Sequence, residues 1–121
     1  MAIISAQVKN TNTDLLDPTG AGSPAGAVPT GKTYAITNIL VCNNSTSAAA
    51  TFDMHLVKSG TALSNAVTRV VNDLSLPAKE TFTFDSEQIM LEQGEKIVLI
   101  GSPDIGAGLT DLSATVSYLE V

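Results

Sequence analysis

The sequence has one cysteine, no tryptophan and few charged side chains. A lone cysteine, Cys42, excludes an intrachain disulfide, and this fits synthesis in a reducing compartment. Charged residues make up 15% of the chain, against about 25% in an average globular protein. Disordered tails and coiled coils both need far more charge, so composition excludes these two classes.

Basic residues are scarcer than acidic ones, and the formal net charge is −6. The basic residues are isolated along the chain: Lys9, Lys32, Lys58, Arg69, Lys79 and Lys96. Nucleic-acid binding needs basic residues gathered on one face, so we expect neither a nucleic acid nor an anionic membrane as partner. We also expect no signal peptide and no membrane span, because the N-terminus lacks a basic region and no apolar run is long enough.

Most of the remaining sequence has the pattern of β-strands. The predicted strands are 2–8, 34–42, 51–58, 81–85, 96–101 and 114–121. Turn residues separate them, which is typical of a sandwich or barrel. The sequence predicts an all-β fold with one domain over residues 1–121, a single antiparallel β-sandwich, either jelly-roll-like or immunoglobulin-like. Segment 34–42 is apolar on both faces, which predicts a central strand covered on both sides.

Three segments depart from this pattern. Residues 61–71 have apolar positions at helical spacing but are β-branched towards the end, so helix and strand both remain open. Residues 17–31 are rich in glycine and proline and predict an extended N-terminal arm or a long loop. Residues 102–111 also contain proline and glycines and predict a long loop.

Residues 26–33 match the phosphate-binding pattern GxxxxGK[ST], through Gly26, Gly31, Lys32 and Thr33. A nucleotide-binding loop of this type follows a buried strand and opens a helix. Here a Gly/Pro-rich stretch comes before the match and a β-branched run comes after it. We therefore interpret the match as a coincidental turn, and expect no cofactor and no nucleotide.

Isolated groups with chemical potential are also present. His55 is the only histidine, and the alternation in 51–58 places it beside Asp53 on a polar, solvated face. Such a pair is a weak metal-site candidate, and two solvated residues are the simpler interpretation. Cys42 ends an apolar strand, where a buried and unreactive thiol is the usual state. We predict no metal site.

Two carboxylate pairs are further candidates. Glu92 and Glu95 flank a turn, and paired carboxylates can cleave glycosides. Asp104 and Asp111 lie in a glycine-rich stretch that could offer oxygen ligands to calcium. Neither pair has a supporting motif, so we interpret them as exposed turn acids, predict no catalytic residues and expect no enzyme.

The order of segments resembles a family of small β-sandwich proteins found in the virions of tailed bacteriophages. The resemblance rests on VPTGKT at 28–33, ITNILVCN at 36–43, FDMHL at 52–56, LPAKE at 76–80 and LEQGEKI at 91–97. It covers about residues 28–121. The stretch VPTGKT, leading into a strand that ends in Cys-Asn, is its most distinctive part.

The resemblance implies a structural virion protein, most simply a capsid decoration or cement protein that binds the major capsid protein and other copies of itself as a trimer or ring. A neck, tail, baseplate or fibre component is the alternative, and a carbohydrate- or receptor-binding module is more remote. The family has no catalytic residues to carry over. Residues 1–27 lie outside the resemblance, and we expect them to act as an assembly arm whose deletion weakens assembly more than folding.

Overall fold

Eight β-strands carry the fold, and the computed structural model describes residues 2–121 apart from the side chains of residues 86–88. The strands are β1 (Ala2–Lys9), β2 (Thr13–Asp14), β3 (Thr33–Asn43), β4 (Ala50–Val57), β5 (Arg69–Leu76), β6 (Thr81–Glu92), β7 (Lys96–Ser102) and β8 (Leu109–Glu120). No helix occurs among residues 2–121. The predicted all-β sandwich is confirmed.

Two four-stranded sheets form the sandwich. Sheet A has the order β1-β8-β3-β6 and sheet B the order β2-β7-β4-β5. The antiparallel strand pairs are nested along the chain, so that the first strand pairs with the last and each later strand with the one before its partner: β1–β8, β2–β7, β3–β6 and β4–β5. This is the strand order of a jelly roll, one of the two sandwich types that the sequence left open.

The core lies between the sheets and is built by alternation along each strand. Val41 of β3 lies opposite Ala114 of β8 and Phe82 of β6, so these residues share the inner face of sheet A. Phe52 of β4 faces them from sheet B, and its ring contacts Phe82 edge-on at 5.5 Å between centroids. Burial of such side chains supplies the main driving force for folding.

A bulge in β3 explains why its sequence looks apolar on both faces. The register shifts between Ile36 and Asn38 against both neighbouring strands. An extra residue reverses the alternation, so Ile36 and Ile39 both point inward and are buried. The expected cover on both sides is wrong: Ala35 and Leu40 lie on the outer face of sheet A and are only half-buried.

The connection between β4 and β5 is irregular, and the helical alternative for 61–71 is wrong. Thr68 ends a turn in which its backbone N–H donates to the Ser64 carbonyl at 2.9 Å. β5 begins at the next residue, Arg69. The other predicted loop, 102–111, is shorter than expected because β8 already begins at Leu109.

The N-terminal segment belongs to the sandwich. Val8 and Leu15 are 0% exposed and Leu16 is 4% exposed, and all three join the inter-sheet core. Further along, Val28 exchanges backbone hydrogen bonds with the β6–β7 turn, donating to Glu95 at 2.9 Å. Residues 17–31 are therefore a long packed loop. The expectation that deleting residues 1–27 weakens assembly more than folding does not fit this packing, because residues 2–27 supply β1, β2 and part of the core.

Asp17 organises this long loop. Its Oδ2 accepts hydrogen bonds from the backbone N–H of Gly22 and of Gly26, both at 2.8 Å. These two bonds, from Gly26 and then Gly22, lower the pKa of Asp17 below its usual value of 3.8. The carboxylate form is therefore favoured by folding. Its contribution is present above the unfolded-state pKa and is lost as the pH falls through the lower, folded-state pKa.

We expect Asp17→Ala to lower the free energy of unfolding at neutral pH by about 1 kcal/mol, the usual contribution of such hydrogen bonds. The difference from wild type should shrink as the pH falls through the lowered pKa of Asp17. Urea denaturation over a series of acidic pH values measures both effects. Glu80→Ala, which removes an exposed carboxylate from the β5–β6 turn, controls for the change in charge. Equal losses in the two variants would contradict this role for Asp17.

Candidate interaction surface

The glycines of the phosphate-loop match have local structural reasons. Gly26 has a φ of +79°, and a Cβ there would lie 2.5 Å from Asp14 Oδ2. Gly31 also has a φ of +79°, a conformation that favours glycine. Their backbone N–H groups are engaged within the chain, that of Gly26 with Asp17 and that of Gly31 with Gln93 Oε1 at 2.8 Å.

The rest of the match opens a strand. Thr33 is the first residue of β3, so no helix N-terminus follows the glycines. Lys32 Nζ lies 3.4 Å from Glu120 Oε1 at the end of β8, in an exposed ion pair. A phosphate-binding loop needs a helix dipole and free N–H groups, and the described geometry of this segment provides neither.

His55 lies in a different environment from the one predicted. It shares the outer side of sheet B with Asp53, but its exposure is 0% because the β4–β5 connection covers it. Its Nδ1 is 2.8 Å from Thr68 Oγ1, and its Nε2 has no hydrogen-bond partner. The carboxylate of Asp53 accepts the backbone N–H of Asp73 instead. The predicted solvated His55–Asp53 pair is wrong.

Burial lowers the pKa of His55 below 6.5, because the charged ring would lose its hydration; Asp53 opposes this effect and Arg69 adds to it. The neutral form is thus favoured by folding. The contribution of His55 to stability is complete above its unfolded-state pKa. It is lost as the pH falls below that pKa, because the unfolded chain then binds a proton more readily than the folded chain does.

We expect the free energy of unfolding to fall as the pH drops below 6.5, with a slope from this group of at most about 1.4 kcal/mol per pH unit, which is the limit for one proton. Urea denaturation between neutral pH and about pH 5, above the main titration of carboxylates, measures the slope. His55→Asn keeps an amide near the Nδ1 position and cannot titrate. The slope of its free energy of unfolding against pH should therefore be smaller, by at most the contribution of one proton. Equal slopes in both proteins would show that His55 has no part in the acid sensitivity.

The other candidate groups are dispersed. Cys42 is half-buried on the outer face of sheet A, with Sγ 3.6 Å from Asn44 Oδ1, so the expectation of a buried thiol is wrong. Glu95 Oε1 accepts the backbone N–H of Glu92 at 2.8 Å, which closes the β6–β7 turn. Asp104 Oδ1 likewise accepts N–H groups within its own loop. Among the described residues, no group of three His, Cys, Asp or Glu side chains is placed to hold a metal ion.

A surface depression of about 300 Å³ lies at the end of the sandwich that carries the long loop. It is lined by Ser23, Pro24, Thr30, Ser59, Gln93 and Gly94. None of these side chains titrates near neutral pH, so they supply no general acid or base. The depression offers hydrogen-bonding groups and no pair suited to acid–base chemistry.

The outer face of sheet A is the most distinctive surface of the molecule. The register places small, polar or apolar uncharged side chains along all its strands. We call this set the neutral face; it consists of Ile3, Ser5, Gln7, Ala35, Leu40, Cys42, Thr81, Thr83, Met90, Ser113, Thr115, Ser117 and Leu119. Asp85 lies on the same side of the edge strand β6, between Thr83 and Met90, and the charged residues Glu92 and Lys32 lie at one end of the face.

The neutral face consists of rows of uncharged side chains that run across neighbouring strands. At one end, Leu119, Ala35 and Met90 lie side by side on β8, β3 and β6, and Leu119 and Met90 are exposed. Near the middle, Ser5 Oγ and Thr115 Oγ1 are 3.0 Å apart and share a hydrogen bond. Uncharged patches of this kind have little desolvation penalty compared with charged ones, so they suit contact with another protein surface.

The area of the neutral face limits the size of the interface that it can form. Four strands about 4.8 Å apart and four alternate rows along them span roughly 500 Å². A stable protein interface buries about 800 Å² on each partner. The neutral face of one copy is therefore smaller than a standard interface and has to be extended by its margin or by a second copy.

Aromatic side chains do not form a sugar-binding platform. Tyr34 and Tyr118 stack at 4.1 Å between ring centroids and are both buried, and burial, followed by the neighbouring Tyr118, raises the pKa of Tyr34 to about 12. Phe52 is buried, and Phe82 and Phe84 are half-buried. All five aromatic residues of the chain thus contribute to packing.

The neutral face was not named residue by residue from the sequence, although its signal is present. Ser113, Thr115 and Ser117 alternate with the buried residues of β8, and Thr81 and Thr83 alternate with the half-buried Phe82 and Phe84 in β6. Which of these strands are neighbours depends on long-range pairing, which local patterns do not reveal.

Comparison with known proteins adds no relative. Among residues 2–121, no helix is long and apolar enough to cross a membrane. No protein-family model, curated protein or solved structure matches the chain.

Proposed function

We propose that this protein is a non-enzymatic structural component of a tailed-phage virion, most simply a capsid decoration or cement protein. It contacts the major capsid protein, or another virion protein, through the neutral face of sheet A. A position in the neck, tail, baseplate or fibre would use the same surface. Both alternatives follow from the resemblance of the segment order to small virion proteins.

The observation that carries the proposal is the neutral face itself. The chain has a net charge of −6, and yet the 13 side chains that make up this face are uncharged, with Asp85 of the edge strand β6 as the charged residue beside them. A surface without charge, containing exposed Ile3, Met90 and Leu119, loses little hydration when another protein covers it. Jelly rolls also occur in viral capsid domains, so the fold agrees with this role by analogy.

Co-sedimentation of the purified protein with capsids of the phage that encodes it tests the proposal. Thr115→Lys places a charge in the middle of the neutral face, beside Ser5. We expect affinity for the capsid to fall about tenfold or more, as for a charge buried in an interface centre. Val70→Lys changes an exposed residue of β5, in the other sheet, and should bind as wild type does.

The outcomes separate the alternatives. Capsid binding that is weakened by Thr115→Lys but not by Val70→Lys supports the decoration role. Binding to tails or fibres with the same pattern supports the alternative position in the particle. Wild-type binding by Thr115→Lys, with the fold verified by circular dichroism, would remove the neutral face as the contact.

A further inference from the structure

The four edge strands of the two sheets are protected to different degrees. β2 has only two residues. β5 has two register shifts against β4, and Asp73 within it has a φ of +48°. β6 carries the outward-facing acids Asp85 and Glu92, and its register shifts opposite the β3 bulge. Short length, bulges and charges are the features by which edge strands avoid pairing with other chains.

β1 lacks these protections over most of its length. It is eight residues long, and its register with β8 is continuous from Ala2 to Gln7. The side chains of residues 2–8 carry no charge, and Ile3 and Ile4 are β-branched. Because β1 pairs only with β8, the N–H and C=O groups of alternate residues point away from the sheet and are open to another strand.

We propose that β1 pairs with β1 of a second copy, antiparallel and around a two-fold axis, to form a dimer with one continuous eight-stranded sheet. This inference rests on the proposed function for the role of the dimer. The pairing itself is a property of the isolated protein and can be measured without a partner. A strand opposite its own copy is self-complementary, as a two-fold interface requires. The uncharged side chains of residues 2–8 allow close approach despite the net charge of −6.

The area of the neutral face supports this partner over an unrelated peptide. One neutral face spans roughly 500 Å² and a standard contact needs about 800 Å² per partner. Pairing through β1 places the two neutral faces edge to edge on the same side of one sheet, because inward and outward residues keep their alternation across the join. The combined face of roughly 1,000 Å² exceeds that requirement. A second copy thus completes the surface that one copy leaves too small.

Light scattering of the purified full chain, from micromolar to millimolar concentration, tests the pairing. We expect a monomer–dimer equilibrium. The double variant Ile3→Lys, Ser5→Lys places like charges along the edge, as natural edge strands do, and should weaken the dimer by about tenfold or more. Val67→Lys makes the same kind of change at a residue that is 74% exposed in the β4–β5 connection, and should leave the dimer unchanged.

Hydrogen exchange gives a second measurement that does not depend on a variant that folds. Alternate backbone amides in residues 2–8 should become protected as wild-type concentration rises through the dimer transition. A wild-type monomer throughout, a discrete trimer or ring, or a dimer that the double variant retains would each overturn β1 pairing. A monomeric wild type that still binds capsids through the neutral face would leave the proposed function standing, so the two failures are distinguishable.

Discussion

A chain that lacks residues 1–16 should not fold. This truncation removes one edge strand of each sheet and the core residues Val8, Leu15 and Leu16. Full burial of each such side chain contributes about 1.5–3 kcal/mol, and the total stability of a domain is only about 5–15 kcal/mol. We expect circular dichroism without a native sheet signal and no cooperative transition on heating.

Point variants make the same test without removing backbone. Leu15→Ala should lower the free energy of unfolding by about 2–5 kcal/mol, the range for a buried leucine. Ile3→Ala, at a residue that is 66% exposed, should change it by less than about 0.5 kcal/mol. A truncated chain that unfolds cooperatively and loses only its ability to assemble would contradict this account and restore the interpretation of the segment as an arm.

Thr68→Val removes one buried hydroxyl group and should destabilise the fold far more than removal of an exposed one. Thr68 Oγ1 lies 2.8 Å from His55 Nδ1, accepts the N–H of Ser64 at 3.0 Å, and is 2.9 Å from the Ser64 carbonyl. Valine leaves the His55 ring buried with neither nitrogen paired, because Nε2 already lacks a partner. Each buried polar group left unpaired costs about 1–3 kcal/mol, so we expect a loss of about 2–4 kcal/mol.

Urea denaturation of Thr68→Val measures this loss. Thr61→Val serves as the control, since Thr61 is an exposed residue of the same connection and should change the free energy of unfolding by less than about 0.5 kcal/mol. Similar values for the two variants would show that the contact between Thr68 and His55 does not stabilise the fold.

Local patterns were sufficient for the fold class and for most strands. Alternation predicted β4 and the start of β6, and the turn residues around Pro77 and Gly94 separated the elements correctly. The strand order could not be read in the same way, because it depends on pairing between distant residues. The bulge in β3 is a clear case, since Ile36 and Ile39 both point inward only when one extra residue is inserted.

Two other differences arise because one segment of the chain covers another. His55 lies on the face that alternation predicted, but the β4–β5 connection buries it against Thr68. Glycine and proline in 17–31 predicted an extended arm or a long loop, and the hydrogen bonds of Asp17 and Val28 show the loop, folded onto the sandwich. Composition describes a segment alone, whereas its burial depends on what the rest of the chain places beside it.

The most direct test of the proposed virion role is quantitative mass spectrometry of density-banded virions of a phage whose genome encodes this protein. The account predicts peptides of this chain in the intact particle, at a copy number comparable with that of other structural proteins, and their retention after the particles are washed in high salt, because the proposed contact through the neutral face does not depend on charge. Absence from banded particles, with the protein abundant in the infected cell, would contradict it.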